Sequence, residues 1–302
     1  MTRSLLLKLA AVATLLALIS VWMGQQAYHW LPPPASAEAL LVDGLFSLMT
    51  ALGSFIFLGV TGTLLYAMVF QRAGKYDDSD GPPIEGNTTL EVVWTVVPIL
   101  LVIWLAIASY RVYDQMSVLG PMEHIHVGMN SAMAAPITES ATATPAETIE
   151  VRARQWAWEF YYPQQQVSST ELHLPNNRRI NLTLTSEDVL HGLYIPAFRL
   201  KQDIIPGRAI DFAFTPIQEG TYRLRDSQYS GTYFAAMQTN VVVESASAYQ
   251  QWLQQAARQP RQSAPNAAYQ EYQASLEKGV RPGWKTIAPA PPPQVNDPGS
   301  PL

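Results

Sequence analysis

Residues Leu45–Phe70 read LFSLMTALGSFIFLGVTGTLLYAMVF, without one charged side chain, and Leu90–Tyr110 read LEVVWTVVPILLVIWLAIASY, with a single acid, Glu91, near the start. About 20 helical residues cross a hydrocarbon core roughly 30 Å thick, so each run is long enough to span a bilayer. The polar stretch QRAGKYDDSDGPPIEGNTT joins the two, which makes a transmembrane helical hairpin. Trp30, Tyr66, Trp94 and Tyr110 lie near segment ends, where aromatic rings settle at the membrane–water boundary.

Upstream, Leu5–Gly24 is a third apolar run, LLLKLAAVATLLALISVWMG. It has two readings: a further membrane helix, or a signal peptide cut after Ala35-Ser36-Ala37. Both give the same orientation. Arg3, Lys8, Arg72 and Lys75 flank the apolar runs, whereas Gly24 to Gly44 carries no Lys or Arg. Basic flanks stay in the cytoplasm, so the chain beyond Tyr110 lies on the outer side. Asp77, Asp78, Asp80 and Glu85 share the cytoplasmic loop, but acids contribute little to orientation.

Composition agrees with a membrane protein. Apolar residues make up 48% of the chain and charged residues 14%, against roughly 25% charged in soluble proteins. There is no cysteine, which excludes disulfides, thiolate metal sites and cysteine nucleophiles. A net charge of -5 argues against a nucleic-acid partner, whose phosphates need a basic face.

After the hairpin, Met122–Glu147 reads as a loose linker in which His124 and His126 have no companion ligands nearby. Six runs rich in β-branched and aromatic residues follow: EVRARQWAWEFYY, INLTLTS, VLHGLYIPAF, AIDFAFTP, TYRLRD and NVVVES. Short strands at this spacing point to a β-sandwich or barrel. SAYQQWLQQAARQ and AYQEYQASLEKG are helix-forming and mostly polar, and a Pro-rich tail ends the chain. The expected organisation is residues 1–37 as N-terminal helix or signal peptide, 38–115 as hairpin and 116–148 as linker. The β domain then covers 149–246, and the helical segment with its tail covers 247–302.

Four motifs carry a family resemblance. They are IEGNTTLEVVWTVVPILLVIW from Ile84, VRARQWAWEFYYP from Val151, DVLHGLYIPAFRLKQDIIPGRAIDFAF from Asp188, and EGTYRLRDSQYSGTYFAAMQTNVVVES from Glu219. In this order they resemble subunit II of haem-copper terminal oxidases, with wording most similar to the alternative respiratory oxidase of cyanobacteria. The resemblance implies a membrane-anchored all-β protein, a transmembrane hairpin followed by a cupredoxin-like β-sandwich. It places the chain in a bacterial plasma membrane, or a cyanobacterial thylakoid or cytoplasmic membrane, with the soluble domain periplasmic or luminal. Subunit I, which holds haem and copper, and subunit III are the implied partners.

Family members usually bind two coppers in this domain, through His, Cys, Glu, Cys, His and Met. Here His191 and Met237 keep the first and last positions, while Asp226, Gln228, Ser230 and Phe234 occupy the four between. Bridging thiolates hold and delocalise charge over two coppers, and hydroxyl or carboxylate oxygens do neither. The expectation is therefore no cofactor in this subunit. Phe234 and Tyr229 are expected to fill the space with apolar volume, leaving His191 and Met237 as packing residues.

Without that relay, the resemblance implies a quinol oxidase drawing on the membrane quinol pool, reducing oxygen to water. A cytochrome c-dependent subunit and a purely structural scaffold are the alternatives. Glu91 falls on the family glutamate at the mouth of a proton channel into subunit I. Trp156 falls on the position where cytochrome c delivers its electron, although Trp156, Trp158 and Phe160 alternate and are expected to pack together on one face. Asp188 lies, in the family, near subunit I; with Arg225 and Asp226 it would form a polar proton exit or a surface ion pair. The stretch from Glu147 to Glu244 holds nine basic and eleven acidic residues, too balanced to steer a basic cytochrome.

Overall fold

The computed structural model describes residues 3–72, 86–116, 147–259 and 266–278. The hairpin loop from Ala73 to Glu85, the linker with His124 and His126, and the Pro-rich tail lie outside the described residues. The chain divides into two compact units.

The membrane unit is built from three helices: α1 (Arg3–Ala27), α2 (Ala37–Phe70) and α3 (Thr88–Met116). They contain 25, 34 and 29 residues, and at about 1.5 Å per residue each exceeds the hydrocarbon thickness. All three are apolar enough to cross a membrane. Helix α2 begins at Ala37, where hydropathy alone pointed to Leu45, because Ser36 caps it: its Oγ accepts from the Ala39 N–H at 3.1 Å. Asn87 caps α3 in the same way, accepting from Leu90 N–H at 3.1 Å. Pro98 lies inside α3 and cannot donate to the carbonyl of Trp94, one turn back.

The outer unit contains two five-stranded sheets. The strands are β1 (Glu147–Arg154), β2 (Ala157–Tyr162), β3 (Val167–Ser169), β4 (Leu172–Pro175), β5 (Ile180–Ser186), β6 (His191–Ile195), β7 (Leu200–Ile204), β8 (Ile210–Phe214), β9 (Gly220–Asp226) and β10 (Gln238–Glu244). One sheet runs β3-β2-β1-β5-β8 and the other β4-β10-β9-β6-β7. Pairings β1–β5 and β4–β10 are parallel; the other ladders are antiparallel. This is a cupredoxin-like sandwich.

Strand periodicity explains the core. Ile149, Val151 and Ala153 on β1 and Leu182 and Leu184 on β5 alternate inward, meeting Leu193, Ile195, Leu224, Val241 and Val243 from the second sheet. The run EVRARQWAWEFYY, which reads as a single strand, is a hairpin that breaks at Gln155 and Trp156 and pairs Val151 with Phe160. Strands β3, β4 and β7 were not foreseen, being three to five residues long, too short for alternation to show.

Two further helices, α4 (Ala246–Arg258) and α5 (Ala267–Lys278), belong to this unit. Although mostly polar in sequence, α4 buries Tyr249, Leu253 and Ala256 along one stripe, and Trp252 stacks on His173 at 3.9 Å. The segment Pro32–Leu41 also belongs here.

Because Leu182 is fully buried in this core, Leu182→Ala should destabilise the outer domain by about 2–5 kcal/mol. Tyr229→Ala, at a side chain 76% exposed, should stay within about 0.5 kcal/mol of the parent. Denaturant unfolding of the full chain in detergent, followed by near-ultraviolet circular dichroism, measures both.

Candidate functional site

The positions that the resemblance matches to a copper site begin where β6 starts and continue from the end of β9. His191, the first residue of β6, is completely buried. Its Nδ1 lies 2.8 Å from Asp226 Oδ2 and its Nε2 lies 2.9 Å from Asp188 Oδ1. With a carboxylate facing each ring nitrogen, the imidazole donates twice and is held as the cation. Burial works against that charge, but the hydrogen bonds and charges of Asp188 and Asp226 outweigh it and push His191 up to about 9.

Each acid is itself held in place. Asp226 Oδ1 accepts from the backbone N–H groups of Gly192 at 2.8 Å and Gln228 at 3.0 Å, and Oδ2 accepts from Ser230 Oγ at 2.7 Å. Asp188 accepts from the N–H groups of Gln155 and Val189, both at 2.6 Å. Burial raises the Asp188 carboxyl, yet its bonds to His191, Gln155 and Val189 prevail and lower it from the ordinary value. Gly192 has no room for a side chain: a Cβ would run into Ser227 Oγ and Gln228.

Two expectations are corrected here. His191 is not an apolar packing residue but the centre of a buried ionic triad. Tyr229 does not fill the site; it lies against Phe234, ring centroids 5.3 Å apart, with its ring in solvent and Phe234 only half-buried. Polar groups stand there instead: Asp226 reaches the ring nitrogen and Ser230 donates to Asp226. Met237 does pack in the apolar core, and its carbonyl accepts from the Asp226 N–H at 2.9 Å and from Trp158 Nε1 at 3.3 Å. Gln228 points away, donating to Asp203 Oδ1 at 2.7 Å.

Arg225 does not join the acids, since strand alternation puts it on the exposed face of β9 while Asp226 faces inward. Trp156, Trp158 and Phe160 are all buried in one core; Trp158 and Phe160 stack at 6.5 Å, whereas Trp156 has other ring neighbours. Its ring is 3% exposed, with Tyr233 and Tyr272 edge-on at 5.3 and 5.2 Å and its Nε1–H donating to the Ser230 carbonyl at 3.0 Å. Tyr272 comes from α5, whose cap Asn266 also donates to the Gln155 carbonyl at 2.9 Å. Gln155 and Tyr272 were not singled out from sequence. Asp188 and Asp226, two acids bracketing one histidine, were the available signal for the triad.

The residues present do not fit a pair of coppers. There is no thiolate to bridge them, both nitrogens of His191 are engaged, and the Met237 side chain is buried in the hydrophobic core.

In the membrane unit, Glu91 lies in the first turn of α3, exposed. A Cβ at Gly86 would come 2.8 Å from its Oε1, so the carboxylate lies over the helix N-terminus, where the dipole favours negative charge. Thr95 Oγ1 donates to the Glu91 carbonyl at 2.9 Å.

Membrane-length helices joined to a cupredoxin-like domain, without the thiolates that a dinuclear copper centre needs, define a membrane-anchored subunit of a redox complex. Residues 20–112 match the family described as cytochrome c oxidase subunit II, transmembrane domain, and residues 166–246 match cytochrome c oxidase subunit II, periplasmic domain. The chain is 33% identical over 276 residues to cytochrome c oxidase subunit 2 of Synechocystis sp., covering 83% of each. It is 34% identical over 268 residues to the same-named protein of Thermostichus vulcanus, covering 79% of this chain and 81% of that one. Against quinol oxidase subunit 2 of Bacillus cereus it is 26% identical over 250 residues, covering 82% and 77%. The chain belongs to the cytochrome c oxidase subunit II family. It is a subunit of a terminal oxidase, anchored in the membrane with its β domain on the periplasmic or luminal side.

The triad makes stability depend on pH at both ends. His191 rises from 6.5 to about 9 on folding, so its contribution is complete below 6.5 and is lost as pH climbs through 9. Asp188 is lowered from 3.8, so its contribution is complete above that value and is lost as pH falls further. Thermal unfolding of the full chain should show a plateau between these limits, with Asp188→Asn moving the alkaline decline to lower pH. An alkaline decline unmoved by that substitution would contradict the geometry.

Proposed function

We propose that this chain is the copper-free second subunit of an oxidase that takes its electrons from membrane quinol and reduces oxygen to water, with subunit I carrying the haem and copper and subunit III completing the complex. The observation that supports this most directly is the double ion pairing of His191. Where a soluble donor's electron would pass through two coppers, the chain has an imidazolium between carboxylates, which neither accepts nor passes an electron at respiratory potentials. Reduction of haem by a quinol bound within the membrane needs no such relay.

Trp156 supports the same reading. A tryptophan that receives an electron from a docked cytochrome must present its edge to solvent, and here Tyr233 and Tyr272 cover it. Its role in this proposal is structural. Asp188, likewise, positions His191 and the Gln155 backbone, in place of the proton exit or surface ion pair that the sequence left open. The cytochrome c reading is favoured by the names of two relatives, and the assay below separates the two. In the purified complex, oxygen consumption should follow a short-chain quinol and not reduced cytochrome c. Two coppers per second subunit, or cytochrome c turnover equal to that with quinol, would overturn the proposal.

Glu91 is proposed to collect protons for subunit I. It is exposed at the start of α3, on the cytoplasmic side by the distribution of Arg3, Lys8 and Arg72, and its carboxylate is pre-positioned over Gly86. An ionisable group at a helix end can also serve only as an anchor. Glu91→Ala should slow quinol-driven oxygen reduction with the complex still assembled, and unchanged turnover would leave the anchor role alone.

A further inference from the structure

We infer that α1 is a permanent third membrane helix of this subunit, keyed to α2, and that Ala35-Ser36-Ala37 is a buried strap, bridged to the outer domain at Ser36 and entering α2 at Ala37, and not a processing site. The inference is independent of the electron donor. It rests on two sets of contacts, one inside each compact unit.

The first set is in the membrane. Along α1 the buried positions are Ser20, Gly24 and Ala27, which fall on one face at helical spacing. Of these, Gly24 meets small residues of α2. A Cβ on Gly24 would lie 2.8 Å from the Ser47 carbonyl oxygen and 2.9 Å from Ala51 Cβ, so only glycine permits this approach. Ser47 Oγ then donates to the Gly24 carbonyl at 2.8 Å, and Trp30 meets Phe46 edge-on at 6.3 Å. Small residues with a hydroxyl bond across the crossing are how membrane helices associate, since lipid supplies no hydrophobic drive between them. By contrast Gly53, Gly59 and Gly62, further along α2, have open space around them. A leader peptide needs only length and apolarity; a glycine matched to Ser47 and Ala51 has no use in a segment that is removed.

The second set is in the outer domain. Ala35 N–H donates to the Ala197 carbonyl, and the Ala35 carbonyl accepts from Ile217 N–H, both at 2.9 Å. Ala37 N–H donates to the Thr215 carbonyl at 2.9 Å, and Ser36 pairs with Pro216 in a bridge. Ser36 Oγ donates to the Phe198 carbonyl at 3.1 Å while capping α2. Ala35 and Ser36 are fully buried, and Ala35 lies in the sandwich core. The Arg199 guanidinium donates to the Pro32 carbonyl, which anchors the start of the strap. A cut after Ala37 would remove all of these partners, leaving Ile217 N–H and the Ala197, Thr215 and Phe198 carbonyls unpaired, beside a gap next to the core. Buried backbone groups are almost always paired, so the domain is built around an uncut strap. With Arg3 and Lys8 in the cytoplasm, α1 delivers that strap to the outer side, where the domain lies.

The test is the N-terminus of the subunit in the complex purified from membranes through a C-terminal tag. Intact-mass measurement and N-terminal sequencing should find a first residue at or before Ser20, and a first residue anywhere beyond Ser20 overturns the inference. Gly24→Leu supplies a second readout. It should cut the yield of assembled complex, whereas Leu15→Ile on the exposed face of α1 should not; undiminished yield with Gly24→Leu would remove the proposed contact.

Discussion

A buried imidazolium held between two carboxylates is the constraint around which the outer domain is arranged. A charge taken out of water is costly unless it is paired and every remaining donor and acceptor is satisfied. Here the positive ring of His191 meets Asp188 and Asp226, and the acids take backbone N–H groups from four separate places in the chain: Gln155, Val189, Gly192 and Gln228. The network therefore ties the β1–β2 turn, the loop before β6, the start of β6 and the loop after β9 to one point. Truncating His191, Asp188 or Asp226 alone would leave buried charge without its partner.

That same arrangement explains why the site does no redox chemistry while its scaffold survives. The ionic triad joins these loops by pairing one buried cation with two acids. The triad does so without sulfur, and it needs side chains that reach: an acid at 226 and a hydroxyl at 230, whose Oγ bonds Asp226 at 2.7 Å. Trp156 packs against Tyr233 and against Tyr272 of the C-terminal helix α5. The outer domain has no bridging thiolate, and on the proposed reading electrons enter the complex within the membrane.

The membrane part follows a different physics. Its helices expose apolar side chains almost everywhere, as lipid and partner subunits require, and the few close approaches depend on small residues. Pro32–Leu41, the strap and the first residues of α2, belongs to the outer domain and supplies a helix cap and an ion-pair partner: Glu38 accepts from Arg179 at 2.7 Å and from the Thr215 N–H at 3.1 Å.

The membrane helices were legible because hydropathy is a sum over some twenty neighbours in sequence, and LFSLMTALGSFIFLGVTGTLLYAMVF needs no distant partner to be recognised. The sandwich was legible in outline for a similar reason, through alternation in INLTLTS. The absence of cysteine alone removed the dinuclear copper site, since no fold can supply a missing thiolate. What only the tertiary structure decided were relations between residues far apart in the chain. Whether His191 packs, binds or carries a proton depends on Asp226 lying 2.8 Å away, and whether Trp156 is open to a donor depends on Tyr272. Local pattern says nothing of either, because electrostatics and burial are set by neighbours in space.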